Sequence, residues 1–234
     1  MNWFKKIFYS ENRFFKATNK HNEVTTYMSP LFKYKLEIEK FSTKPGCWDY
    51  SLGKIYSLKT NHSESIAEIK RNYSHFPFAW AIYHPNGHDY LICGKSYMGQ
   101  TVVELDTGKV FNYSPKGEDF CCVEFYPSPD KTKIAISGCY WGGTYEVRIC
   151  DFSDPSKLPL KVFQHVSDDA YDKTKVYYSD FSEWIDDQTF KIKKTYDWCI
   201  PLNKSENDVT IEEIENLKDD DWEERKEEYI VKLN

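Results

Sequence analysis

No run of apolar residues in this 234-residue chain approaches the roughly 20 that would span a bilayer. Residues 1–15 carry Lys5 and Lys6 but no apolar stretch of the kind a secretory leader needs. The expectation is neither an export signal nor a transmembrane helix. A basic excess is missing as well, since 31 Lys and Arg stand against 37 Asp and Glu. Many of the acids crowd into residues 212–228, against Lys218, Arg225 and Lys226, which leaves the remainder close to neutral. Such a body has no basic face for a phosphate backbone, so nucleic acid is not an expected partner.

The chain also lacks the short patterns that announce a reaction. It has no Gly-x-Ser-x-Gly elbow for a nucleophile and no glycine-rich phosphate loop; Gly142-Gly143 reads as a hairpin turn. Seven cysteines, an odd number without any Cys-x-x-Cys, do not suit the paired framework of a small secreted module. They fit a reducing, cytoplasmic setting, as small buried hydrophobes. His84 and His88 flank Pro85-Asn86-Gly87, so their spacing is that of a turn and not of a metal-binding helix face. Both are expected to face solvent. Asp168-Asp169 and Asp186-Asp187 fall in polar turns and lack the alternating oxygen ligands and glycine of a calcium loop. No catalytic residue, cofactor or metal is assigned on this basis, and a non-enzyme is the leading expectation.

What the chain does have is aromatic residues, 17% of the total, with 18 Tyr, 15 Phe and 7 Trp. Side chains of this kind suit half-buried pleated surfaces. Two segments between Phe76 and Phe163 share one layout: an apolar strand, a proline turn, a second strand ending at Gly94 or Gly138, an aromatic turn, a third strand ending at Asp106 or Asp151, and a short fourth strand. The offset is 44 residues on the glycines and 45 on the aspartates, within the period of about 40–45 residues of WD-type blades. Leu105-Asp106-Thr107-Gly108 and Cys150-Asp151-Phe152-Ser153 stand where that family usually ends its third strand. The two segments therefore resemble divergent WD40-like β-propeller repeats, although no Trp-Asp pair stands at either strand end.

The flanks extend the pattern. YKLEIEKF (34–41) alternates, Gly46-Cys47-Trp48 echoes Gly138-Cys139-Tyr140-Trp141, and later segments supply third and fourth strands. Downstream, residues 176–198 contain an apolar strand, the Asp186-Asp187 turn and a strand with Phe190 and Ile192 on one face. The expected fold is thus all-β, a single propeller-like domain over 30–234 after an extension at 1–29, with repeats near 30–73, 74–116, 117–163 and 164–234. Four blades nearly exhaust the chain, whereas the WD family usually builds seven. A compact four- or five-bladed ring, an incomplete ring closed by another chain, and a curved open sheet remain open in that order. Trp3, Phe4, Ile7 and Phe8 at helical spacing, with Lys5, Lys6 and Lys16 interleaved, suggest a short N-terminal helix that caps the sheet or, less favoured, lies on a membrane surface. Residues 211–228 read as an acidic helix or disordered insert ahead of EYIVKL, a candidate closing strand for the first blade.

One constellation of side chains invites a function. Trp48, Tyr97, Tyr140 with Trp141, and Tyr196 with Trp198 all fall in the turn after the second strand of their repeats. The resemblance implies that these turns open onto one rim, where exposed Trp and Tyr favour binding hot spots. The expectation is a non-catalytic interaction module for an unidentified protein or peptide. The alternatives are a structural subunit of a larger assembly, a virus particle included, in which self-association completes the repeats, and a small-ligand binder or hydrolase with its site in the channel. The inner strands supply mainly Phe76, Phe78, Trp80, Phe120, Val123 and Phe181, which disfavours a channel site.

Overall fold

A computed structural model describes residues 14–59, 64–71, 73–95, 98–140, 143, 145–166 and 178–233. The chain is all-β, as expected. It forms four successive four-stranded antiparallel sheets. Sheet I holds β1 (Lys20–Met28), β2 (Tyr34–Phe41), β3 (Tyr50–Ser57) and β4 (Ala67–Arg71) in that order. Sheet II holds β5 (Phe78–Ala81), β6 (Tyr90–Gly94), β7 (Gln100–Glu104) and β8 (Lys109–Tyr113), and sheet III holds β9 (Cys121–Pro127), β10 (Lys133–Cys139), β11 (Glu146–Asp151) and β12 (Val162–His165). Sheet IV is built from β13 (Tyr178–Trp184), β14 (Thr189–Cys199), the short β15 (Lys204–Ser205) and β16 (Trp222–Lys232).

The sheets stack through three apolar cores. Leu36, Ile38, Ile55 and Ile69 of sheet I meet Leu91, Cys93 and Val103 of sheet II. Ile92 and Val102, from the opposite face of sheet II, meet Phe125, Ile134 and Ile136 of sheet III. Ala135, Val147 and Ile149 then meet Phe181, Phe190 and Ile192 of sheet IV. Each Leu, Ile, Val or Phe side chain buried here contributes about 1.5–3 kcal/mol relative to exposure. The middle sheets are buried on both faces, so β6 reads as the unbroken run YLICG; the end sheets bury one face, so β2 and β14 alternate. On the outward face of sheet I, Lys20 and Lys54 both bridge Glu39, at 2.8 and 3.1 Å. On that of sheet IV, Lys191 bridges Glu183 at 2.5 Å. Among the described residues no apolar core joins sheet IV to sheet I.

Gly138 shows why the second strand of sheet III needs glycine near its end. The pairing of β9 with β10 shifts register between Ser137 and Gly138. A Cβ at Gly138 would stand 2.1 Å from the Cys121 carbonyl oxygen, so only a residue without a side chain admits the bulge.

Several sequence expectations change. The first sheet starts at Lys20, inside the stretch assigned to an N-terminal extension. Most of the proposed N-terminal helix lies outside the described residues; Ala17–Asn19 is a 3-10 turn leading into β1, and Phe14 stacks on Tyr50 with ring centroids 4.1 Å apart. The acidic segment is neither an insert nor a long helix. Ile211–Ile214 forms one helical turn, α1, closed by a Thr210–Glu213 capping box. Residues 222–228 belong to β16, which pairs with β14 from Thr189↔Lys232 to Cys199↔Trp222. The last strand therefore completes the fourth sheet and not the first. An acidic strand is stable there because it lies beside a lysine-rich one, with Glu228 opposite Lys193 and Glu227 opposite Lys194.

The corners at the far rim are wired by polar groups. Asp89, in the turn before β6, pairs with Lys33, accepts the Tyr83 amide at 2.8 Å and accepts the Tyr34 hydroxyl at 3.1 Å. Tyr34 also reaches Asp106 at 3.0 Å. His84 is buried, with Nε2 2.8 Å from the Phe152 carbonyl oxygen of sheet III, which corrects the solvent-facing expectation. Its neighbour His88 stays at the surface edge, 3.7 Å from Asp106. The amide of Asp130 donates to Asp187 of sheet IV at 2.7 Å. Thus each corner is tied to the next sheet.

Burial works against the Asp89 carboxylate, yet Lys33, the Tyr83 amide and Tyr34 hold it below the usual carboxylate range. Asp89→Ala would strand Lys33 and is expected to cost about 3–5 kcal/mol in urea denaturation at pH 7. A carboxyl with a depressed pKa stabilises above its ordinary pKa and loses that effect as pH falls through the depressed value. The gap between wild type and variant should therefore close below the ordinary carboxylate range. A gap unchanged in strong acid would show that the charge is not the cause.

Candidate functional site

Strand pairing defines the rim opposite those corners. Phe41 at the end of β2 lies across from Tyr50, and Arg71 at the end of β4 lies across from Ser51. Gly94 likewise lies across from Gln100, itself across from Tyr113, and Cys139 across from Cys121. Turns after second strands and links between sheets therefore share one rim.

Trp48, in the turn after β2, is 53% exposed, as a rim contact residue must be. Its ring lies 5.1 Å from that of Tyr73, in the link to sheet II, and Tyr73 lies 6.4 Å from His75. Arg71 is fully buried beneath them, its guanidinium 5.9 Å from the Tyr73 ring and 5.3 Å from the Phe76 ring. Tyr140, after β10, is 46% exposed. Its ring centroid is 5.9 Å from that of Phe120, and Arg148, which donates to Glu146 at 2.5 Å, lies over both rings. The rim thus presents aromatic faces held by cation–π contacts.

The other candidates fare differently. Tyr97 and Trp141 lie outside the described residues. Tyr196 and Trp198 are not in a turn: they belong to β14, which runs on to Cys199 because β16 pairs with it throughout. Arg225 of β16 lies 4.0 Å over the Trp198 ring, and the Tyr196 hydroxyl donates to Glu227 at 2.5 Å. The described candidates make ring contacts with different neighbours: Trp48 with Tyr73, Tyr140 with Phe120, and Tyr196 with Trp198.

Phe76, Phe78 and Val123, inner-strand residues expected to disfavour a channel site, line a cleft of about 250 Å³ between the entry to β5 and strand β9. His75, Phe76, Pro77 and Phe78 form one wall, and Val123 to Tyr126 the other. Along β9 the buried residues Cys122 and Phe125 turn to the core while Glu124 is exposed. The Tyr126 hydroxyl donates to Glu124. Burial, and then the charge of Glu124, push the Asp180 carboxyl on β13 above its usual range, with Lys193 opposing. Burial and then Arg71 push His75 below the usual imidazole value, against the pull of Glu124. The signal available in the sequence was a single acid at an alternating position of an inner strand, hidden among Phe, Val and Tyr.

The cysteines contribute no reactive thiol to this region. Cys93 is fully buried, and burial pushes its thiol up to about 12. Cys121 and Cys122 are buried, and neither forms a disulfide. Among the described residues, no group of three or more His, Cys, Asp or Glu side chains is placed to hold a metal ion, and no helix is long and apolar enough to cross a membrane.

The raised Asp180 carboxyl destabilises the fold while it is charged and ceases to do so as pH falls through its raised pKa. Asp180→Asn is expected to raise the urea midpoint at pH 7, and the difference from wild type should vanish on acidification through that titration. An unchanged midpoint at pH 7 would contradict the placement of Asp180 beside Glu124.

No protein-family model matches the chain. It is 34% identical over 211 residues to the "Uncharacterized protein R762" of Acanthamoeba polyphaga mimivirus, a match covering 89% of this chain and 82% of that one. Among solved structures it is similar to prolyl oligopeptidase B from Galerina marginata, at 9% identity and a TM-score of 0.45, over 74% of this chain and 22% of that one.

Proposed function

The chain belongs to one family with that mimivirus protein, and from this premise we propose that it is a non-catalytic interaction module whose aromatic rim docks a protein or peptide. We read the four sheets as successive blades of an incomplete WD40-like propeller, open between sheets IV and I, that places its binding surface where the turns after second strands meet the links between sheets. The reading is supported by the 44–45-residue repeat and the face-to-face stacking of sheets I to IV. The observation that carries it is the exposure of Trp48, 53%, on a ring already backed by Tyr73. An aromatic fixed from behind and open in front loses little conformational freedom on binding, which is why such residues dominate interfaces. We assign it to the cytoplasm, or to the virion if its partner is a particle component.

The test is affinity capture with quantitative mass spectrometry on wild type, Trp48→Ala and Tyr140→Ala. Loss of one hot-spot ring costs about 2 kcal/mol or more, so a partner retained by wild type should fall by at least an order of magnitude with Trp48→Ala. An undiminished partner set in both variants would refute the rim as the docking surface.

A further inference from the structure

Resting on that interaction reading, the cleft beside the rim narrows the chemistry of the partner. We infer that it takes one basic side chain of the docked peptide, a lysine ammonium or arginine guanidinium, against the Glu124 carboxylate and the rings of Phe76, Phe78 and Tyr126.

Size is the first support. At about 250 Å³ the cleft is smaller than the pockets of roughly 300–1,000 Å³ that enclose drug-sized ligands and cofactors. It suits a single long side chain entering from a peptide held on the rim. Charge is the second. Among the described lining residues Glu124 is the one carboxylate, and burial together with Arg71 disfavours the charged form of the His75 imidazole. The Arg71 guanidinium is buried 5.3 Å from the centre of the Phe76 ring and is not part of the lining, although its charge reaches His75. Asp180 on β13, with Lys193 across the strand pair from it, lies near enough for its carboxyl to act on Glu124 and the Tyr126 hydroxyl. Acids elsewhere have found basic partners, as Glu39 has in Lys20 and Lys54, Glu146 in Arg148 and Glu183 in Lys191. Among the described residues neither Glu124 nor Asp180 forms an ion pair; the contact Glu124 makes is the hydroxyl of Tyr126, which orients its carboxylate without neutralising it.

The walls supply the third support. Phe76 and Phe78 have ring centroids 6.4 Å apart at 66°, and Tyr126 is stacked from behind on Phe181 at 4.6 Å. Fixed rings beside an unneutralised carboxylate reward a cation whose alkyl stem can lie against them. An anion would meet Glu124 and Asp180, and a purely apolar side chain would leave the carboxylate desolvated without a counter-charge.

The test uses the full chain and two small probes with the same aliphatic stem, acetyl-lysine methylamide and acetyl-norleucine methylamide. Each is titrated at 0.15 M salt against amide chemical shifts. Saturable binding of the lysine probe is expected, with shifts confined to residues 75–78 and 123–126. Affinity should be at least tenfold weaker for the norleucine probe and for Glu124→Gln, a variant whose urea midpoint verifies that it is folded. Equal binding of both probes, full affinity in Glu124→Gln, shifts elsewhere, or no saturable lysine binding would each overturn the assignment. Loss of lysine selectivity with Trp48-dependent capture intact sinks the cleft alone. Lysine binding that persists when capture ignores Trp48 and Tyr140 sinks the rim alone.

Discussion

Face-to-face burial of neighbouring sheets is the interaction on which everything else depends. A two-sided sheet such as II or III has no polar face to show to water, so Leu91 and Ile92, adjacent in β6, must each find a different partner sheet. Sheets I and IV are the ends of this stack, and their outer faces carry lysines and glutamates in place of aliphatic side chains. A terminal polar face of this kind lets a repeat array stop. The polar ties at the far corners add direction to the apolar stack: Tyr34 and Lys33 to Asp89, His84 to the Phe152 carbonyl, and Asp187 to the Asp130 amide each join one sheet to the next.

With the far rim occupied by these ties, the exposed Trp48 and Tyr140 rings lie at the near rim. Its aromatics are backed by arginines: Arg71 against Tyr73 and Phe76, Arg148 against Phe120 and Tyr140. Both arginines are buried, so the rings above them are supported by groups that cannot move far. The cleft is the gap that remains where the link into β5 passes β9.

Much of the fold was legible in the residues. The end of β6 at Gly94, the strand end at Asp151 and the place of Gly138 near the end of β10 follow from local pattern, whereas the close approach of β9 at Gly138 does not. So does the contrast between the unbroken run of β6 and the alternation of β2. β16 was not legible, because WEERKEEY has the composition of a solvated helix and becomes a strand only when the lysines of β14 lie opposite. His84 was misread because a histidine in a proline turn looks exposed until a second sheet brings a carbonyl to it. Of the site, Trp48 and Tyr140 could be placed from the turn pattern, but Tyr196 and Trp198 could not, since the length of β14 is set by its partner. Glu124 and Asp180 are separated by 56 residues, and only the folded arrangement of β9 and β13 brings their charges together.

If the stack is the organising element, protection of backbone amides should follow it. Native-state hydrogen exchange is expected to be slowest in β6, β7, β10 and β11, which are covered on both faces, and faster by orders of magnitude in β1 and along the free edge of β16. Protection in β1 or β16 equal to that of β6 and β10 would contradict a structure whose stability resides in three serial interfaces ending in solvated faces.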